Sequence, residues 1–262
     1  MTTMEPAKSF VTVQGRKLEV QRLGNGSGDG PTLVFLHEGL GSVSLWRDFP
    51  AQVSRETGCP AVVYSRYGHG GSDVLEGPRT VDFMHEEALA VLPELLDRLG
   101  IREPVLVGHS DGGSIALIYA GAHESVKGLV VLAPHVFVED LSVQSIAAAQ
   151  VSFETTDLPQ RLGRHHADAA RTFRGWNDVW LDPDFRRWNI EEYLPGIACP
   201  TLAIQGLDDE YGTLAQIDAI ARLSGGPVEL LKLPDCGHSP HRDRPGPVLE
   251  AMVRFIAGLR AG

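Results

Sequence analysis

The chain has 262 residues, 43% of them hydrophobic, with 23 Lys and Arg against 34 Asp and Glu for a formal net charge of −11. This length fits one large α/β domain or a domain with a modest insertion, and the acidic balance argues against a nucleic-acid partner, whose binders present basic surfaces. An N-terminus (MTTMEPAKSFVTV) without a basic-then-apolar start, no apolar run near the ~20 residues of a bilayer span, and three scattered cysteines (Cys59, Cys199, Cys236) predict a cytoplasmic chain with no secretory leader, membrane span or disulfide framework.

In chain order, residues 9–23 read as two strands around the turn Gln14-Gly15-Arg16, and GNGSGDGP (24–31) reads as a flexible turn. TLVFLH (32–37), AVVYS (61–65), VLVGH (105–109), GLVVLA (128–133), TLAIQG (201–206) and VELLKL (228–233) are short, rich in Val, Leu and Ile, and bounded by Gly or Pro, as buried strands are. Between them 43–55, 81–99, 111–122, 213–224 and 246–259 have helical spacing. Two leading strands followed by strand–helix alternation predict an α/β fold, a mostly parallel doubly wound sheet of about eight strands with helices on both faces. From about 136 to 194 the alternation stops, and Trp176, Trp180, Phe185, Trp188 and Tyr193 crowd the second half of that stretch. A structureless loop of this length is improbable in a compact domain. The expected organisation is therefore a core of 1–135 and 195–262 with a small helical cap over 136–194.

VLVGHSDGGSIALIYAGA (105–122) carries the chemistry. Gly108-His109-Ser110-Asp111-Gly112 matches G-x-S-x-G, placed after an expected strand and before an expected helix, the context that gives the pattern meaning. Gly108 and Gly112 permit close backbone contacts at a sharp turn, Gly113 gives the helix room against the sheet, and Ser110 projects its hydroxyl above the carboxyl edge. The helix behind it offers a free N–H and a positive dipole end. The competing explanation, a glycine-rich turn with a capping serine, fits the flanking strand and helix less well.

On these residues the chain resembles the α/β-hydrolase fold family over nearly its whole length: two leading strands, the nucleophile elbow, a cap after the sixth strand, then two late loops. The resemblance implies serine, acid and histidine in that chain order. It favours Asp209, three residues past Gly206, over its neighbour Asp208 as the acid, and His238 in LPDCGHSPHRDRPGPV (233–248) as the base. His241 suits a surface histidine, most other histidines (the His165-His166 pair included) are expected to be solvated, and His109 is expected to pack the elbow. One oxyanion donor should be the N–H of Asp111. The other comes, by resemblance, from Gly39 in His37-Glu38-Gly39-Leu40-Gly41-Ser42, or from Leu40 if the loop is shifted. Glu38 departs from the family, which usually has glycine there.

Glu38 and Asp111 would place two acids beside a developing oxyanion, so each needs a partner or must face away. Arg66, in SRYGHGGSD (65–73), is the expected partner of one of them, against the alternative of an exposed arginine. The expected reaction is hydrolysis of an ester-type bond of a small organic substrate, through an acyl-enzyme on Ser110, with no metal or organic cofactor. Glu38, Leu40, Trp176 and Trp180 are the candidate substrate-facing residues, although an aromatic stripe is more often plain cap core. Carbon–carbon, thioester, lactone or perhydrolase chemistry on the same site, and a non-catalytic ligand-binding role, stay open, as does a homo-oligomer. Position 110 being serine disfavours the epoxide hydrolases and haloalkane dehalogenases of this scaffold, which use aspartate.

Overall fold

The computed structural model describes residues 8–24 and 30–261; the expected turn at 24–31 therefore lies largely outside the described residues, as does the start of the N-terminal stretch. The strands are β1 (Lys8–Val13), β2 (Arg16–Leu23), β3 (Leu33–Leu36), β4 (Ala61–Tyr64), β5 (Val105–His109), β6 (Gly128–Leu132), β7 (Thr201–Gly206) and β8 (Val228–Leu233). They form one 8-stranded sheet in the order β1-β2-β4-β3-β5-β6-β7-β8. β1 pairs antiparallel with β2, and β2 antiparallel with β4. Every later pairing is parallel. The central strands are buried along their whole length because both faces are covered.

The helices are α1 (Phe49–Thr57), α2 (Phe83–Glu86), α3 (Leu92–Leu99), α4 (Asp111–Ala122), α5 (Asp140–Thr155), α6 (Leu158–Leu162), α7 (Ala169–Trp180), α8 (Ala215–Leu223), α9 (Pro240–Asp243) and α10 (Pro245–Ala261). A single π turn, Glu87–Val91, joins α2 to α3. Side-chain alternation along each strand divides the core into two layers. Val34, Leu36, Leu106, Leu129 and Val131 face α3, α4 and the helices inserted between β6 and β7. Leu33, Phe35, Val105, Val107, Val130 and Leu132 face α1 and α10, where they meet Phe49, Val53, Met252 and Ile256. Helix α4 is buried from Asp111 to Ala120, with Asp111 and Ser114 the polar side chains among mainly apolar ones, so it is held firmly against the sheet. That placement fixes where the residue just before it can point. Cys59, Cys199 and Cys236 are free thiols. Among the described residues, no helix is long and apolar enough to cross a membrane.

Candidate active site

The turn from β5 into α4 is as sharp as the glycines require. A Cβ on Gly108 would lie 2.3 Å from the Gly112 carbonyl oxygen, and a Cβ on Gly112 would lie 2.1 Å from that of Leu36. Ser110 sits between them at φ 52°, ψ −121°, a left-handed conformation that costs a non-glycine residue of order 1–3 kcal/mol. Its amide is anchored to the Leu132 carbonyl at 2.9 Å. Neighbouring parallel strands thus hold the strained residue in place.

The loops after β7 and β8 bring their side chains to the same edge. The Ser110 hydroxyl donates to His238 Nε2 at 2.9 Å, and His238 Nδ1–H donates to Asp209 Oδ1 at 2.8 Å. Asp209 is 8% exposed and also accepts from the amides of Tyr211 and Gly212 and from Gln205 Nε2. Burial alone would raise its carboxyl pKa. The hydrogen bond and electrostatic pull of the His238 ring, with the Tyr211 amide, outweigh burial and hold it below the usual carboxylate range. Asp208 is exposed. Neither acid caps α8, which begins only at Ala215. The His238 backbone is gripped as well: its amide donates to Glu210 Oε2 at 3.2 Å, and its carbonyl accepts from His109 Nε2–H at 2.7 Å.

The loop after β3 has its carbonyls pinned on one side. Glu38 O accepts from Arg66 Nη2 at 2.8 Å, Gly39 O from His69 Nε2–H at 2.9 Å, and Leu40 O from His166 Nε2–H at 3.0 Å. In a trans peptide the next N–H points the opposite way, so the Gly39 and Leu40 amides face away from those three side chains. The Asp111 N–H opens α4, where no intrahelical acceptor exists for it.

Both acids have partners, and they differ. Glu38 turns its carboxylate away, toward His109 Nδ1 at 3.6 Å and Arg242 Nη2 at 3.7 Å. Burial alone would raise the Glu38 carboxyl pKa, but the His109 ring and the Arg242 guanidinium hold it well below its usual value. Glu38 is not among the described non-glycine residues with positive φ, so the loop has no need of glycine at that position. Gly41 clears the space, since a Cβ there would lie 2.4 Å from Glu38 Oε2. Asp111 is 1% exposed; its Oδ1 accepts from Trp180 Nε1 at 3.2 Å and its Oδ2 lies 3.9 Å from Arg66 Nη2. Burial pushes its carboxyl pKa up despite Arg66 and Trp180. Arg66 is fully buried rather than exposed.

The inserted helices close over this edge. Trp176 of α7 packs so tightly on Gly39 that a Cβ there would lie 2.1 Å from the indole nitrogen. Trp180 is 1% exposed and packed edge-on against Phe185, so it reaches the site through its N–H rather than an open ring face. Several histidine expectations are corrected. His241 is buried between the rings of Trp46, Phe49 and His109, and burial drives its pKa down to about 2. His166 is buried, accepts from the Gly70 amide at 3.0 Å and donates to Leu40; His165 hydrogen-bonds Ser44 Oγ at 2.9 Å. His37, His69 and His135 are buried too. Solvation fails for them because each ring fills a gap at the sheet edge.

Sequence reasoning gave no role to Gln205, His69, His135 or Arg242, and read His166 as solvated. Only Arg242, beside the expected histidine loop in HRDRP, carried a local signal. Among the described residues no cluster of three or more His, Cys, Asp or Glu is arranged to hold a metal ion.

Comparison with known proteins agrees with this architecture. A family model described as the alpha/beta hydrolase family matches residues 33–251. The sn-1-specific diacylglycerol lipase ABHD11 of Mus musculus is 26% identical over 255 residues, covering 87% of this chain and 81% of its own length. The 2-succinyl-6-hydroxy-2,4-cyclohexadiene-1-carboxylate synthase of Yersinia pseudotuberculosis is 32% identical over 264 residues, covering 87% of this chain and 88% of its own. In fold, the chain is similar to the enol-lactonase of Burkholderia xenovorans LB400, with a TM-score of 0.75 at 21% identity over 95% of this chain and 100% of that one.

Proposed function

Because the chain belongs to the alpha/beta hydrolase family, we propose that it is a serine hydrolase cleaving an ester-type bond of a small organic substrate, with Ser110 as nucleophile, His238 as base and Asp209 as orienting acid. The observation that carries the proposal is the unbroken chain of hydrogen bonds, Asp209 to His238 at 2.8 Å and His238 to Ser110 at 2.9 Å. With Nδ1–H committed to Asp209, the Nε2 lone pair faces the serine hydroxyl and takes its proton as Oγ attacks the carbonyl carbon. The carbonyl oxygen becomes an oxyanion, stabilised by the N–H groups of Gly39 and Asp111. The imidazolium then hands its proton to the leaving alkoxide, which departs as the alcohol and leaves an acyl-serine. Water attacks the acyl-serine, giving its proton to His238, and the acid and free serine are regenerated. Asp209, ionised well into the acid range, stabilises the imidazolium in both steps.

The inserted helices, residues 136–194 in this reading, act as a cap that shapes the acyl pocket through Trp176. The test is labelling with a fluorophosphonate, expected at Ser110 and absent in Ser110→Ala; equal labelling of that variant removes the proposal. A second reading has one specific support: the 32%-identical relative is named for a cyclohexadiene carboxylate rather than an ester. A panel of p-nitrophenyl esters, acyl thioesters and vinylogous diketones separates the two by which class turns over.

A further inference from the structure

Resting on the serine-hydrolase reading above, we propose that Arg66 is the positioning residue of the oxyanion site, aligning both of its N–H donors from one buried guanidinium. The register of the sheet brings it there. Tyr64 at the end of β4 pairs with Leu36 at the end of β3, so Ser65 and Arg66 continue beside His37 and Glu38.

The first donor is set through a carbonyl. The Arg66 amide donates to His37 Nε2 at 3.0 Å, which leaves the proton on His37 Nδ1. That N–H donates to the Glu38 carbonyl at 2.7 Å, and Arg66 Nη2 donates to the same oxygen at 2.8 Å. With the Gly41 amide, which also donates to it at 3.0 Å, three donors on one carbonyl fix the plane of the Glu38–Gly39 peptide, and its N–H on Gly39 is turned to the opposite side. The second donor is set through a side chain. The same Nη2 lies 3.9 Å from Asp111 Oδ2, and Trp180 holds Oδ1, so the residue whose N–H opens α4 is clamped from two directions.

The arrangement is also a charge balance. Asp111 stands next to the nucleophile, and its carboxylate would oppose a developing oxyanion at close range in a poorly screened site. Arg66 supplies the compensating positive charge from a side chain that is 0% exposed. Arg66 Nε and Nη1 and Asp111 Oδ2 make no hydrogen bond among the described residues. An arginine placed only to knit loops together would use more of its five donors.

Three variants test this: Arg66→Met, Arg66→Lys, and Arg66→Met/Asp111→Asn. The last removes both buried charges together and so is expected to stay folded even if Arg66→Met alone does not. Each is checked for folding by its melting curve. It is then assayed for fluorophosphonate labelling rate, p-nitrophenyl acetate turnover and inhibition by a trifluoromethyl ketone, whose adduct carries the oxyanion. Arg66→Met and the double variant should lose about 10²-fold in kcat with KM within about threefold, and should bind the ketone about 10²-fold more weakly, the scale of one lost oxyanion donor. Arg66→Lys, which keeps the charge but not the fork, should lose about tenfold. A folded double or lysine variant with wild-type labelling, kcat and ketone affinity overturns the proposal while Ser110 stands as nucleophile. Wild-type protein that neither labels nor turns over any of the panel would instead overturn the serine-hydrolase reading itself.

Discussion

The carboxyl edge of the sheet and the helices inserted above it reach the same site by different means. At the edge, each proposed reacting group lies at or within a few residues of the end of a strand whose register is specified over several residues, and its loop is tied to the next by backbone hydrogen bonds. Ser110 N–H donates to Leu132 O, and the Leu207 and Asp208 amides donate to Leu233 O and Cys236 O. Apart from the Ala167 amide, which donates to Gly70 O at 2.8 Å, the inserted helices touch the core mainly through side chains. His166 bridges the Gly70 amide and the Leu40 carbonyl, Thr172 Oγ1 donates to Gly68 O, and Trp180 reaches Asp111. Backbone pairing holds geometry to tenths of an ångström, whereas side-chain contacts can be exchanged for others at modest cost. On the proposed reading, bond-making chemistry therefore belongs to the edge, and the choice among substrates to the insertion.

The largest effects test the first half of that contrast. Ser110→Ala and His238→Ala should each lower turnover by about four to six orders of magnitude, and by the same factor for every acyl chain accepted. Asp209→Asn should cost about 10⁴-fold by favouring the wrong His238 tautomer. Asp208→Asn, at an exposed position, should stay within about twofold of wild type. Esterase rates measured over several chain lengths check all four. A loss that varied with chain length would mean that the edge also sets specificity.

Glu38 gives a smaller effect on the same side of the comparison. Its carboxylate faces His109 of the elbow, whose ring holds the His238 carbonyl, and Arg242 of the histidine loop, so one side chain links the three loops. Glu38→Ala should weaken that link, lowering kcat about tenfold with little change in KM. It should also cost about 1–2 kcal/mol, seen as a fall in Tm of roughly 3–8 °C. Glu38→Gln keeps the shape without the charge and should fall between. An alanine variant with unchanged kcat and Tm would show the loops to be independent.

Trp176→Ala tests the other half. The indole lies against Gly39, over the proposed oxyanion donors, and its removal opens room there for a longer acyl chain. Each methylene accommodated is worth about 1–3 kcal/mol in discrimination. The preference for hexanoyl over acetyl esters should rise at least tenfold while acetyl turnover changes less than tenfold. Uniform loss across chain lengths would assign Trp176 to the edge's function instead.

The same division describes what could be read from the sequence. The strands were legible because Val34, Leu36 and Leu106 alternate with Leu33, Phe35 and Val105 between two apolar layers. The sharp turn at Ser110 was legible because only glycine fits at 108 and 112, whereas Asp209 and His238, three and five residues past the ends of β7 and β8, were indicated by the family resemblance. Helix α5 was not located, because along 16 residues it buries only Ser142 and Ile146 and so shows no apolar stripe. The partners of Glu38 were not legible either: Arg242 stands far along the chain, and sequence spacing carries no information about which long side chain crosses to meet it. The histidines misled for a related reason. Whether an imidazole is solvated or buried depends on neighbours brought together by the fold, and His166 and His241 have local sequences typical of exposed turns.

His241 supplies the smallest prediction. Its ring is buried against Trp46 and Phe49, and neither ring nitrogen makes a hydrogen bond among the described residues. Burial drives its pKa down to about 2, with the His109 ring adding to the effect and Glu38 opposing it. Unfolding raises that value to about 6.5. Between the two values the unfolded chain binds a proton that the native protein does not, so stability rises with pH. The contribution is complete above about pH 6.5 and is lost as pH falls, at about 1.4 kcal/mol per unit. His135, pushed down to about 3 by burial and the neighbouring His238 ring, acts in the same direction. The protein should therefore lose Tm steadily from pH 7 to pH 5. His241→Phe removes one of these groups and two unsatisfied polar atoms while keeping an aromatic ring in the gap. It should raise Tm at pH 7 by a few degrees and flatten the slope between pH 7 and pH 5 by about 2 kcal/mol, with kcat nearly unchanged at pH 7. Melting curves of the two proteins at matched pH decide it, and parallel slopes would mean that His241 binds its proton equally well in the folded and unfolded chain.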